Sequence, residues 1–178
     1  LYRANWPALL QQGHALVDPF CGSATLLIEA ALMATNTAPG LARDDQAVRH
    51  WLQHDEAVWQ DTLAAARQAV TSTTCEISGS DADARVIGIA KQNIARAGMA
   101  EVITVKPQSI VDFATAAPRG LLVTNPPYGQ RLKDPLTLMP LYQAIGRGLH
   151  APREAPRLCT TGSRRSARNS KDVHALTA

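Results

Sequence analysis

Ala15-Leu16-Val17-Asp18-Pro19-Phe20-Cys21-Gly22-Ser23-Ala24-Thr25 begins as a short apolar strand, Ala15 to Val17, and ends at a carboxylate, Asp18. Glycine and small residues then carry the chain into a helix over Thr25 to Ala34, built on Leu26, Leu27, Ile28, Ala30, Ala31 and Met33. Working outward, Glu76-Ile77-Ser78-Gly79 gives a second strand ending at Asp81. Asp83 to Ala97 gives a second helix, with Val86, Ile87, Ile89, Ala90 and Ile94 on its inner face and Gly98 at C′. Val102 to Val105 and Leu121 to Thr124 read as the third and fourth strands. Leu136 to Leu149 reads as a further helix, with Pro140 near its first turn. Such alternation predicts an α/β, mostly parallel, doubly wound sheet with helices on both faces. Residues 37 to 74, the insertion between strands one and two, are too long for a simple crossover. Asp55 and Glu56 mark a helix start there, followed by Val58, Trp59, Leu63, Ala66 and Val70 at helical spacing. Trp51 and Trp59, on approximately one face, read as packing residues of that insertion.

The chain has 178 residues and 46% apolar content, which fits one soluble globular domain. No apolar run reaches the roughly 20 residues needed to span a bilayer, and Leu1 to Pro7 does not have the pattern of a signal peptide. The first residue is not Met, which suggests a piece of a longer chain. Cys21, Cys75 and Cys159 form neither a zinc pattern nor a disulfide framework, so a cytoplasmic location is expected. His14, His50, His54, His150 and His174 show no metal spacing, and no metal is expected. Residues 1 to 150 carry 12 Lys/Arg and 13 Asp/Glu, whereas 151 to 178 carry 6 and 2, so the net +3 charge comes from the tail. Ser163 to Lys171 has the composition of a phosphate-binding or merely solvated disordered segment. The division expected is a core over 1 to 150 and a short strand plus basic tail over 151 to 178.

In a sheet of this kind, ligands bind at the carboxyl ends of the strands near the switch in strand order. Gly22, Ser23 and Ala24 would let a ligand approach backbone at a helix N-terminus. Asp18 can meet the positive end of a zwitterionic ligand or serve as a loop acceptor for backbone N–H groups. Asp81 can accept hydrogen bonds from both hydroxyls of a ribose, or cap the helix that follows, a task for which Asp83 competes. Cys21 has no histidine placed by sequence to activate it and reads as a small buried filler.

Asn125-Pro126-Pro127-Tyr128 follows the fourth strand. An amino group on a planar ring is a poor nucleophile because its lone pair is delocalised into the ring. The amide oxygen of Asn125 and the carbonyl of Pro126 can accept its two N–H bonds and favour a more tetrahedral nitrogen, while Tyr128 stacks on the base. A rigid strand-to-loop turn is the structural alternative, since proline restricts itself and its predecessor.

The acidic glycine turn after strand one, the acidic residue after strand two and N-P-P-Y after strand four together resemble Rossmann-like class I S-adenosylmethionine-dependent amino-methyltransferases. Within them, Leu16 to Glu29, Ala38 to Leu41, Gly79 to Arg85 and Asn125 to Leu132 resemble the bacterial large-subunit (23S) rRNA guanine-N2 methyltransferase family RlmL, the amino-terminal half of RlmKL. The resemblance covers roughly residues 1 to 150 and includes the insertion. It implies S-adenosylmethionine as cofactor, held by Asp18, Pro19, Gly22, Ser23, Thr25 and Asn125, with Asp81 on the ribose. It also implies that Asn125, Pro126 and Tyr128 hold the target base of ribosomal RNA, that Pro127 shapes the loop, and that no metal takes part.

Three departures stand out. Ala24 replaces the usual family glycine. Ser109 aligns with the family's adenine-contacting Asp, and Asp112 is the nearest carboxylate, so either would contact the adenine. Residues 163 to 178 lack the alternation of a closing hairpin, which predicts an incomplete C-terminal sheet edge beyond a short strand at Arg157 to Thr161. These features leave two competitors to an rRNA guanine-N2 methyltransferase: a non-catalytic cofactor- or RNA-binding fragment, and an adenine-N6 nucleic-acid methyltransferase. A dinucleotide oxidoreductase is disfavoured because the first turn lacks G-x-G-x-x-G.

Overall fold

The computed structural model describes residues 1–43, 47–113 and 120–125, together with the backbone of 157–160. Its elements are α1 (Trp6–Gln11), β1 (Ala15–Asp18), α2 (Thr25–Ala34), α3 (Glu56–Gln68), β2 (Ile77–Asp81), α4 (Ala84–Arg96), β3 (Ile103–Pro107), β4 (Gly120–Thr124) and β5 (Arg157–Thr160). The strands form one sheet in the order β3-β2-β1-β4-β5, and every pair is parallel. Leu16 registers with Ile77 on one side and Leu121 on the other, so β1 is central and the order reverses beside it. All these strands end on the same edge, which therefore gathers Asp18, Asp81 and Thr124.

Strand alternation divides the sheet into two faces. Leu16, Ile77, Ile103, Val105, Leu121 and Val123 share one core with Leu27, Ala30 and Ala31 of α2 and Ile87, Ala90 and Ile94 of α4. At about 25 cal/mol per Å² of apolar surface, this burial is the main favourable term in the fold. Val17 and Leu122, at alternate positions, are also buried, so the second face is covered too. The expected parallel sheet is present, and the described helices that pack on it, α1, α2 and α4, share the first core. The expected helix over 136 to 149 and the tail from 161 onward lie outside the described residues.

Helix α1 was not foreseen from the sequence. Asn5 enters it in a left-handed conformation, Pro7 occupies its first turn, and Trp6 is fully buried in the α2 core. The Trp6 indole donates to the carbonyl of Ala30 at 3.3 Å, which satisfies the polar atom that such burial would strand.

Two expectations about side-chain packing are corrected. Ile89 was placed on the inner face of α4 but is 52% exposed, because Ile87, Ala90 and Ile94 already fill the stripe toward the sheet. Trp51 lies before α3 rather than on its face and is 67% exposed. Only Trp59 packs within the insertion, where its ring meets His54 edge to face at 6.4 Å. Val58 and Val70 are exposed as well, and α3 contributes no buried residue. The insertion is held instead by local polar contacts. Asp55 caps α3, Asn36 donates to the carbonyl of Ala69, and the Thr71 amide donates to the carbonyl of Thr35.

Candidate functional site

The turn after β1 begins at Asp18, 1% exposed, whose Oδ1 accepts the Phe20 amide at 3.0 Å. Pro19 is fully buried, and Cys21 donates its amide to the carbonyl of Ser80 at 2.9 Å, which ties the turn to the end of β2. Gly22 follows at φ +52 with open space on its Cβ side. Ala24 is also left-handed, at φ 70, and fully buried. The glycine usual at this family position thus has a conformational basis here: the turn requires φ > 0, which costs alanine about 1 kcal/mol. Gly79 is constrained by space instead, since an added Cβ would lie 2.5 Å from Leu27 Cδ1 and 2.9 Å from Cys21 Cβ.

Of the two carboxylates that sequence left competing for the helix cap, Asp83 takes it. Asp83 caps α4 by accepting the Arg85 amide at 2.8 Å. Asp81 Oδ1 accepts the Asp83 amide at 3.0 Å, and its Oδ2 reaches across to the Gly22 amide at 3.3 Å. The second bond joins the two acidic turns into one edge. Asn93 of α4 braces it further, donating to the carbonyl of Ser23 at 3.1 Å, while the hydroxyls of Ser23 and Thr25 pair at 3.3 Å.

Burial controls the electrostatics. Desolvation pushes the Asp18 carboxyl up to about 7, opposed by the Phe20 amide and the Thr124 hydroxyl and reinforced by the nearby Asp81 charge. The Thr124 hydroxyl acts on Asp18, yet it stands outside the geometry of a formed hydrogen bond and is a buried donor without a partner. Ser80 Oγ is in the same condition. The Cys21 thiol is pushed up to about 12 by burial and then by Asp18 and Asp81, which makes it inert as a nucleophile and supports its reading as filler.

Beyond β3, Ser109 is half-buried and its hydroxyl accepts the Val111 amide at 3.3 Å, starting a short 3₁₀ turn over Ile110–Asp112. Asp112 is exposed. Gln108, which sequence reasoning passed over, donates its side-chain amide to the Asp112 carbonyl at 2.8 Å and keeps a buried Oε1 without a partner. The sequence signal for it was an amide beside Ser109. Asn125 is exposed immediately after the buried Thr124. Pro126, Pro127 and Tyr128 lie outside the described residues. The structure therefore brings Asp18, Gly22, Asp81 and Asn125 to one edge of the sheet.

Residues 4–170 match the family described as RMKL-like, methyltransferase domain. The chain belongs to that family. A ribosomal RNA large subunit methyltransferase K/L from Legionella pneumophila is 44% identical over 150 residues, covering 84% of this chain and 21% of that protein. One from a Shewanella species is 45% identical over 150 residues, covering 82% and 21%. The chain thus spans about a fifth of the length of the curated relatives it matches. Among solved structures, SMU.472 complexed with SAH aligns at TM-score 0.74 and 36% identity, over 82% of this chain and 38% of that one. A Listeria monocytogenes protein described as a predicted N6-adenine-specific DNA methylase aligns at TM-score 0.73 and 36% identity, with the same coverage. The fold is that of the Rossmann-like class I methyltransferases.

Proposed function

We propose that this RMKL-like domain uses S-adenosylmethionine to methylate the exocyclic N2 amino group of a guanine in large-subunit (23S) rRNA, in the cytoplasm. The observation that carries the reading is the joined acidic edge, in which Asp81 holds the Gly22 amide across the β2 and β1 turns while Asn125 projects from the end of neighbouring β4. The residues present fit the cofactor. Gly22 leaves open space at φ +52, and Ser80 at the end of β2 and Gln108 just after β3 keep buried polar atoms without partners. The names of the rRNA methyltransferase relatives and the SAH of SMU.472 agree with this chemistry.

When bound, the cofactor supplies an activated methyl group on a sulfonium. Asp81 is suited to the ribose hydroxyls, and Asp18, Pro19, Gly22, Ser23 and Thr25 to the methionine and ribose side. Ser109 or Asp112, with Gln108 Oε1 as a further acceptor, reads the adenine amino group. Asn125 Oδ1 and the Pro126 carbonyl accept the two N–H bonds of the target amino group, so its lone pair is directed outward. Pro127 shapes the loop and Tyr128 stacks on the base, which must leave its own stack to arrive. Positioning, rather than proton transfer by an enzyme base, is the main contribution of these groups.

Transfer of labelled methyl groups to undermethylated rRNA, followed by nucleoside analysis, tests the reading. Wild type should yield N2-methylguanine, and Asn125→Ala should lower turnover roughly 100-fold or more while cofactor affinity stays within about threefold. Unchanged turnover in that variant removes the assigned role. The Listeria relative's description favours a second reading, adenine-N6 methylation, for which the product would be N6-methyladenine. Cofactor binding without any transfer would identify a non-catalytic binding domain.

A further inference from the structure

We propose that Thr124 is a positioning residue whose hydroxyl is the internal donor for the Asp18 carboxylate, coupling the cofactor turn after β1 to the Asn125 end of β4. This rests on the cofactor reading above and assigns a role to a residue outside the sequence motifs.

The placement is geometric. β1 and β4 are parallel neighbours, with Val17 opposite Leu122, so Asp18 and Thr124 stand at adjacent strand ends, one residue out of register. Thr124 is 0% exposed and Asp18 is 1% exposed, so water serves neither well. The Thr124 hydroxyl has no formed hydrogen bond, although it acts on the Asp18 carboxyl. Packing alone would be met by valine, which has the same shape without a donor to satisfy. A buried, unserved hydroxyl beside a buried carboxyl is accounted for if the two bond in another state of the site.

That state is the ionised one. While Asp18 holds a proton, the carboxyl can satisfy itself with fewer donors. Once ionised, it accepts only, and the Phe20 amide at 3.0 Å serves Oδ1 alone. Thr124 is the donor already buried beside it. A positively charged ligand group in the turn favours ionisation, draws the Thr124 hydroxyl in, and thereby fixes the residue that precedes Asn125. The titratable groups facing Asp18 are Asp81 at the end of β2, which opposes ionisation, and the Cys21 thiol in the turn, which stays protonated and neutral in this range; among the described residues no cation counters Asp81.

The test is a carbon-13 NMR titration of the Asp18 carboxyl in the full chain, paired with calorimetric titration of S-adenosylmethionine across pH. Wild-type Asp18 should titrate near 7. Thr124→Val should raise that midpoint by about one pH unit, and Thr124→Ser should restore it. Cofactor affinity in Thr124→Val should fall about tenfold near pH 6 and approach wild type near pH 9, a profile that a mere packing defect would not produce. Thr124→Ala makes the same test where the valine variant does not fold. Wild-type binding with an unmoved midpoint in the hydroxyl-free variant would overturn the inference and leave the cofactor reading intact. No cofactor binding by wild type at any pH would overturn both.

Discussion

The carboxyl edge of the sheet and the insertion between α2 and β2 handle polar and apolar groups in opposite ways. At the edge, Asp18, Ser80 and Thr124 are no more than 2% exposed, and two of their hydroxyls have no partner. In the insertion, Trp51, Leu52 and Val58 are 67%, 100% and 62% exposed, while Asp55, Glu56 and His54 are hydrogen-bonded. Burying polar groups without partners costs stability, whereas leaving apolar groups in water merely forgoes a gain. Strain held by the surrounding core is expected where a fold reserves groups for a ligand. Among its described residues the insertion shows no such reserve.

The largest expected effect comes from removing the Asp18 charge. Its folded pKa, about 7, exceeds the ordinary value of 3.8, so the folded state holds the proton more tightly than the unfolded chain. Below about pH 4 both states are protonated and stability is undiminished. Stability then declines as pH rises to about 7, because only the unfolded chain gains by ionising, and it levels off above that. The full penalty is about 4 kcal/mol. Asp18→Asn keeps an acceptor for the Phe20 amide and removes the charge. Urea denaturation at pH 8 should show the variant more stable by about 2–4 kcal/mol, and near equality at pH 4, with cofactor binding impaired. A variant less stable than wild type at pH 8 would show that the carboxylate is no burden to the fold.

Next in size is Gly79→Ala, which places a methyl group against Leu27, Cys21 and the Asp18 carbonyl at 3.1 Å. The backbone carbonyl cannot swing aside as a side chain can, so a loss of about 2–3 kcal/mol is expected, with displacement of the turn and weakened cofactor binding. Thermal unfolding within about 0.5 kcal/mol of wild type would mean that the edge is looser than its contacts indicate. Smaller again, and opposite in sign, is Ala24→Gly. Relief of the left-handed conformation should stabilise the fold by about 1 kcal/mol, less the added flexibility of the unfolded chain. A destabilised variant would show that the buried Ala24 methyl packs better than its backbone suffers.

Sequence revealed β1 and β4 through apolar runs that end at punctuating residues, and β2 through the Gly79 and Asp81 that close it. Ala15 to Asp18, Ile77 to Asp81 and Gly120 to Thr124 all fall where patterning placed them, within a residue or two. Asp18, Gly22, Asp81 and Asn125 were legible because their spacing follows strand ends, which a parallel sheet gathers on one edge. Three kinds of information stayed hidden. Helix α1 is six residues long, too short for periodicity, and depends on the burial of Trp6. The exposed faces of Ile89 and Trp51 depend on which neighbours exist, which apolar character does not encode. The roles of Thr124 and Gln108 arise from buried atoms lacking partners, a property of three-dimensional placement rather than residue type.

The smallest effect should come from the insertion itself, through Asp55→Ala. Asp55 Oδ1 accepts the amides of Ala57 at 2.9 Å and Val58 at 3.2 Å, so its loss removes the N-cap of α3 at a cost of about 1 kcal/mol. Where that cost appears depends on coupling. Because α3 buries no residue, opening its first turn exposes little apolar surface and does not loosen the sheet. The cap should therefore limit local fraying rather than global unfolding. Hydrogen exchange at the α3 amides should accelerate about fivefold in Asp55→Ala, while exchange in β1 and β4 and the thermal midpoint stay nearly unchanged. A global midpoint lowered by the full capping cost would instead tie the insertion to the sheet as one cooperative unit, and the two regions would then differ in their exposure but not in their energetic coupling.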